Sequence, residues 1–101
     1  MITQGEAGRL FVEGPIQMDS VAALLDALLP RVEAGDVLLD FSRVPHVDSS
    51  SLALLLSLLR KARGAQHSLK LCSAPPAFNS LAALYGVDGI FAEQLAHDAA
   101  A

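Results

Sequence analysis

An α/β fold, with helices laid against a mostly parallel sheet, is what this sequence predicts, and three observations carry the prediction. Short apolar runs alternate along the chain with stretches whose apolar residues recur at helical spacing. Val37-Leu38-Leu39-Asp40-Phe41 alternates too little for a half-exposed strand and is too short for a buried helix, so it reads as a central parallel strand. Turn and stop residues at Gly14-Pro15, Gly35, Pro45, Gly64 and Gly86 separate these runs. A sheet of about four to five strands flanked by about three to four helices is expected, as a single domain over residues 1–101.

Arg9 to Val12 reads as a short strand ended by Gly14-Pro15, with a weakly marked second strand around Ile16 and an N-terminal strand or hairpin at one sheet edge. Asp19 or Ser20 can cap a helix in which Val21, Leu24, Leu25, Leu28, Leu29 and Val32 form one apolar stripe. Pro30 lies inside that stripe and predicts a kink or a stop in the last turn before Gly35. After the Val37 to Phe41 strand and the loop around Pro45, a helix is expected from about Ser50 to Arg63, closed by Gly64. Leu69 to Cys72 makes a further strand. Pro75-Pro76 opens a helix with Phe78, Leu81, Ala82 and Tyr85 on one face and Gly86 as its stop. Val87 to Glu93 is expected to pack as a last short element, with His97 to Ala101 frayed.

The composition, 52% hydrophobic and 18% charged, suits one apolar core that needs neither disulfide nor metal. A formal charge of −4, from 11 acidic and 7 basic residues, argues against nucleic acid or an anionic membrane surface as the main partner. Arg60, Lys61 and Arg63 form the basic cluster, and they close a predicted helix, where positive charge suits the negative end of the dipole. Cys72, the single cysteine, has apolar neighbours and reads as a buried thiol in a reducing compartment. MITQGEAGRL lacks a basic segment followed by an apolar core, so no signal peptide is expected. The leucine-rich run from Leu52 to Leu59 is far short of the roughly 20 residues of a membrane helix. A soluble, cytoplasmic chain with no direct membrane insertion is expected.

The stretch HVDSSSLALLL, His46 to Leu56, sets a carboxylate and three hydroxyls directly before a leucine-rich helix. It falls beyond the carboxyl end of the central strand, where functional loops of open α/β sheets gather. The first helical turn there has backbone N–H groups without helical partners, which accept side-chain oxygens, anions or a covalent phosphate. Asp48 or Ser49 as a plain N-cap is one reading. At about 100° per residue, Leu52, Leu55, Leu56 and Leu59 cluster toward the sheet, while Leu54 lies nearly opposite, beside Ser57 and Lys61, with Ala53 and Leu58 on the flanks. An outward surface of Ala53, Leu54, Ser57 and Leu58 beside the serines is a docking face for another protein. Packing of Leu54 and Leu58 on a neighbouring helix of the same domain is the alternative.

His46, Asp48 and Ser49 fall too close together in sequence to supply the nucleophile, base and orienting group of a triad. Neither a nucleophile elbow nor a phosphate- or dinucleotide-binding glycine loop occurs. His46, His67, His97 and Cys72 lack metal-ligand spacing. No catalytic residue, cofactor or metal is expected.

The order strand, helix, VLLDFSRVPHVDSSSLALLLSLLRKA, strand, PPAFNSL helix resembles a STAS domain over nearly the whole chain. The most specific part is the pattern D-x-S-x-V-x-x-V-D-S-S-x-L, matched by Asp40, Ser42, Val44, Val47, Asp48, Ser49, Ser50 and Leu52. SRVPHVDSSSLALLLSLL and LAALYGVDGIF are most similar to the MlaB-type branch, the small cytoplasmic subunit of the Mla phospholipid-transport ABC systems of the Gram-negative envelope. Anti-sigma factor antagonists are a more distant likeness. The resemblance implies a STAS-like fold, no chemistry of its own, an ABC transporter ATPase subunit (MlaF-like) as partner, and a peripheral place at the inner membrane through that complex. In antagonist members the serine after the aspartate, here Ser49, is the phospho-acceptor of a partner kinase; in the MlaB type the equivalent hydroxyl lies at the ATPase contact. On this reading His46, Asp48, Ser49, Ser50, Ser51, Ala53, Leu54, Ser57 and Leu58 are the partner-binding residues. Ser51 stands where both groups commonly carry glycine, a departure that bears more on kinase recognition than on docking.

Overall fold

The computed structural model describes residues 2–91. Strands β1 (Ile2–Gln4), β2 (Arg9–Glu13), β3 (Val37–Arg43) and β4 (Leu69–Cys72) form one sheet in the order β1-β2-β3-β4. β1 is the antiparallel hairpin edge, and β2, β3 and β4 run parallel. Helices α1 (Val21–Ala34) and α2 (Ser50–Ala65) make the two crossovers, followed by α3 (Pro76–Leu84) and the short α4 (Asp88–Phe91). With strands added in sequence order, right-handed crossovers place α1 and α2 side by side on one sheet face, and α1 packs along α2. The α/β prediction therefore holds, with four strands and four helices described. The expected frayed end, His97 to Ala101, and the last residues of the expected Val87 to Glu93 element lie outside the described residues.

One sheet face carries Leu10, Val12, Val37, Leu39, Phe41, Leu69 and Leu71, all buried in the core against the helices. Phe41 meets Phe78 of α3 edge-on at 6.3 Å, and Phe78 meets Phe91 of α4 at 5.4 Å. α1 buries Leu24, Leu28 and Val32. It runs through Pro30 to Ala34 without stopping, because Pro30 faces solvent and the stripe is buried on both sides of it. The unbonded carbonyl belongs to Asp26, an exposed residue that water can serve. Ser20 does not cap α1 with its side chain. Its hydroxyl instead accepts from the Gln17 N–H at 3.0 Å and donates to the Pro15 carbonyl at 3.0 Å, locking the preceding turn.

α2 does not close at Gly64. Gln66 takes the left-handed conformation (φ 62°), its N–H bonding to Arg63 O, while His67 N–H reaches Ala62 O at 2.9 Å. These two bonds are a Schellman ending in which Gly64 is still helical. Gly86 does end α3 as expected, left-handed at φ 74°, with Gly86 N–H on Ala83 O and Val87 N–H on Ala82 O. Tyr85, expected on the apolar face, is 59% exposed: α3 ends at Leu84, and Val87 beyond the turn is the residue that packs against the core.

The opposite sheet face mixes polar side chains with Phe11, Leu38 and Cys72, and Asp40 is buried in it at 3% exposure. Its carboxylate accepts from Arg9 Nε at 2.9 Å and from the Ser42 N–H at 2.8 Å, while an Arg9 amine nitrogen lies 3.5 Å from Cys72 Sγ. Burial pushes the Asp40 carboxyl up, but the Ser42 bonds and the Arg9 pair outweigh it and leave the group below the usual value. A carboxyl depressed in the folded state stabilises above its unfolded value, near about 3.9, and that stabilisation is lost as pH falls through the folded pKa. Asp40→Asn is expected to cost about 1 to 3 kcal/mol at neutral pH and to show a shallower loss of stability in acid than the parent, measured by urea unfolding against pH.

Candidate functional site

The loops leaving the carboxyl ends of β2 and β3 are stitched together. Ile16 pairs with Val47 as a parallel bridge, with the Ile16 N–H on His46 O at 3.1 Å and the Asp48 N–H on Ile16 O at 3.0 Å. The weak strand signal at Ile16 is this bridge. Gln17 and His46 meet through their Nε2 atoms at 2.5 Å. The Asp48 carboxylate completes the join: one oxygen accepts from the Met18 N–H at 3.1 Å, the other from the Ser50 N–H at 2.8 Å and from the Ser50 hydroxyl. The Ser50 hydroxyl, then the Ser50 N–H, hold the Asp48 carboxyl below its usual range; partial burial opposes them and the Met18 N–H adds to them. An ionised acceptor therefore fixes both loops at neutral pH.

These bonds sort the expected site residues. Asp48 is the side chain that serves the head of α2, an Asx turn onto the Ser50 N–H. Ser49 occupies the N-cap position, its side chain caps no backbone N–H, and it is exposed. His46 and Ala53 are exposed, and Asp48 and Ser57 are half-buried. Four expectations need correction. Leu54 and Leu58 are 2% and 0% exposed and belong to the core, because α1 covers the flank of α2 that the sheet leaves open. Ser50 and Ser51 are buried at 9% and 0%, their hydroxyls donating to the Asp48 carboxylate and, at 2.8 Å, to the Asp48 carbonyl. None of the four presents its side chain to solvent. Ser51 is helical, so no left-handed residue is required at this position, and its inward hydroxyl leaves Ser49 unobstructed.

The surface beside Ser49 holds residues the sequence reading missed. A groove of about 390 Å³ runs along α2, lined by Ser49, Leu52, Ala53, Leu56, Tyr85 and Val87. Leu56, expected to face the sheet, is half-buried on its wall. Met18, 77% exposed, is held next to Asp48 by its backbone. Asp48 is engaged with Met18 and Ser50, and His46 with Gln17, so the three residues tested for a triad do not form a relay. Among the described residues no three His, Cys, Asp or Glu side chains gather as a metal ion would need, and no helix is long and apolar enough to cross a membrane.

The fold is similar to that of the anti-sigma factor antagonist SpoIIAA in its unphosphorylated form (13% identity, TM-score 0.73, covering 95% of this chain and 86% of that one). The phosphorylated form of the Bacillus cell fate determinant SpoIIAA matches with 14% identity, a TM-score of 0.65, and 95% and 87% coverage. A Thermotoga maritima protein assigned as an anti-sigma factor antagonist matches with 14% identity, a TM-score of 0.74, and 94% and 83% coverage. Identities this low establish a shared fold. No curated protein matches the chain. The family model described as "Mlab, STAS domain" matches residues 2–95, and the chain belongs to that family.

Proposed function

We propose that this chain is a regulatory and assembly subunit, without catalysis of its own, that binds the ATPase subunit of an ABC-type phospholipid transporter of the Mla kind. It would act in the cytoplasm, at the inner membrane through that complex, in maintaining outer-membrane lipid asymmetry. The carrying observation is Ser49: an exposed hydroxyl that caps nothing in its own helix, held at a fixed point by the Asp48 bonds, in a chain of an MlaB-named family. A side chain that its own fold does not use, on a backbone ordered in advance, offers contact at low entropic cost. Ser49→Arg is expected to weaken co-purification with the co-expressed ATPase at least about tenfold, about 1.4 kcal/mol or more, with urea unfolding unchanged. Unaltered co-purification would sink the reading.

Phosphorylation of Ser49 by a partner kinase, as in an anti-sigma factor antagonist, is the second reading, favoured by the fold shared with SpoIIAA and by the exposure of the hydroxyl. A phosphate there would gain from the head of α2 and add about −1.5 to −2 of charge beside Asp48. Mass spectrometry of cell-derived protein across growth states tests it, and persistent absence of modified Ser49 counts against it.

A further inference from the structure

The two edges of the sheet differ in chemistry. β4 carries the exposed Lys70 within it, a charge of the kind that keeps an edge from pairing with another chain. β1, at the other edge, is Ile-Thr-Gln and bears no charge. Gly5 N–H bonds Arg9 O across the hairpin at 2.8 Å, and in an antiparallel ladder every second residue turns its backbone groups to its partner. Thr3 therefore faces Phe11 of β2, while the N–H and C=O groups of Ile2 and Gln4 point outward, where no described strand meets them. Beside this edge a groove of about 780 Å³ lies between Ile2 and the α1 flank of Ser20, Ala23 and Ala27. α1 runs in the same direction as β1: exposed Asp19 lines the groove at the Ile2 end, and exposed Arg31 donates to the Gln4 side-chain oxygen at 3.1 Å at the other. The edge is thus acidic at one end and basic at the other. A second copy turned about a two-fold axis presents the matching, reversed polarity. We infer that β1 pairs antiparallel with β1 of a second copy of this chain, about an axis at Thr3. Ile2 and Gln4 of each copy then exchange backbone bonds with Gln4 and Ile2 of the other, and the two Thr3 residues face each other as the non-hydrogen-bonded pair. The Arg31 guanidinium has donors beyond the one that Gln4 takes, and Asp19 of the second copy is their counter-charge. Two four-stranded sheets become one of eight strands. The inference stands apart from the ATPase reading and uses a different surface.

Sedimentation velocity of the full chain over a concentration series tests it, and a concentration-dependent dimer is expected. Gln4→Pro removes an outward N–H while leaving the β1–β2 ladder intact, and is expected to weaken the dimer at least about tenfold. Asp19→Arg is expected to weaken it about tenfold as well, and the exchange Asp19→Arg with Arg31→Asp to restore it to within about threefold, a recovery that a role confined to one copy's fold does not give. Thr3→Cys is expected to form a disulfide-linked dimer on mild oxidation, because the axis brings the two positions together, whereas Glu6→Cys, exposed in the hairpin turn, does not. A chain that stays monomeric up to about 1 mM overturns the inference. So does a dimer indifferent to Gln4→Pro and Asp19→Arg, a charge exchange that restores nothing, or a Thr3→Cys protein that links no faster than Glu6→Cys.

Discussion

Leu54→Glu is expected to abolish cooperative folding, whereas Ala53→Glu, one residue earlier, leaves stability within about 0.5 kcal/mol of the parent. Leu54 is 2% exposed in the core between α2 and its neighbours, and Ala53 is exposed. The substitution forfeits roughly 1.5 to 3 kcal/mol of leucine burial. It also places a carboxylate in the buried aliphatic core, at a further cost of several kcal/mol unless the group takes up a proton. Set against the roughly 5 to 15 kcal/mol that holds a domain of this size together, the sum approaches or exceeds what is available. Loss of the cooperative urea transition and of dispersed amide resonances is the expected result. A Leu54→Glu protein that unfolds cooperatively within about 1 kcal/mol of the parent would refute the placement of this flank against α1. The pair also separates folding from docking, since a partner lost through Leu54→Glu says nothing about the surface.

The two leucines show how far the sequence could be read. Periodicity places an apolar face on α2 and correctly directs Leu52, Leu55 and Leu59 inward. It cannot show that a second helix covers another flank, because the pairing of α1 with α2 is decided by strand order and crossover hand. A leucine-rich stretch of eight residues, Leu52 to Leu59, with neighbours on two sides therefore reads as a helix with one face to spare. Local chemistry was legible: the Asp-Ser-Ser turn at the head of α2, the Gly86 stop and the Pro76 start are each set by residues within a turn of one another. Contacts between distant segments were not. Arg9 reaches Asp40 because β2 and β3 are neighbours, and Met18 reaches Asp48 because Ile16 bridges Val47. Tyr85 and Val87 join the Ser49 surface through the same kind of tertiary placement. A clue to Tyr85 was present, since Gly86 directly after it marks the end of the helix, where the apolar stripe need not continue.

Phe78→Ala is expected to cost about 3 to 5 kcal/mol, and its consequence reaches the groove beside Ser49. Phe78 is fully buried and stands between Phe41 of the central strand and Phe91 of α4, so a single ring joins the sheet, α3 and the last described helix. Its loss removes two aromatic contacts and leaves a cavity that α3 can close only by shifting. Tyr85 and Val87 follow on the same segment and make one wall of the groove beside Ser49. A displaced α3 therefore widens that groove even where the rest of the domain survives. Phe78→Leu, which refills most of the volume, is expected to lose less than about 1.5 kcal/mol. Urea unfolding measures the stability, and ATPase affinity at a temperature where the variant is still folded measures the wall. An affinity equal to the parent's in a folded but destabilised Phe78→Ala protein would mean that the wall at Tyr85 and Val87 has no part in the proposed ATPase contact.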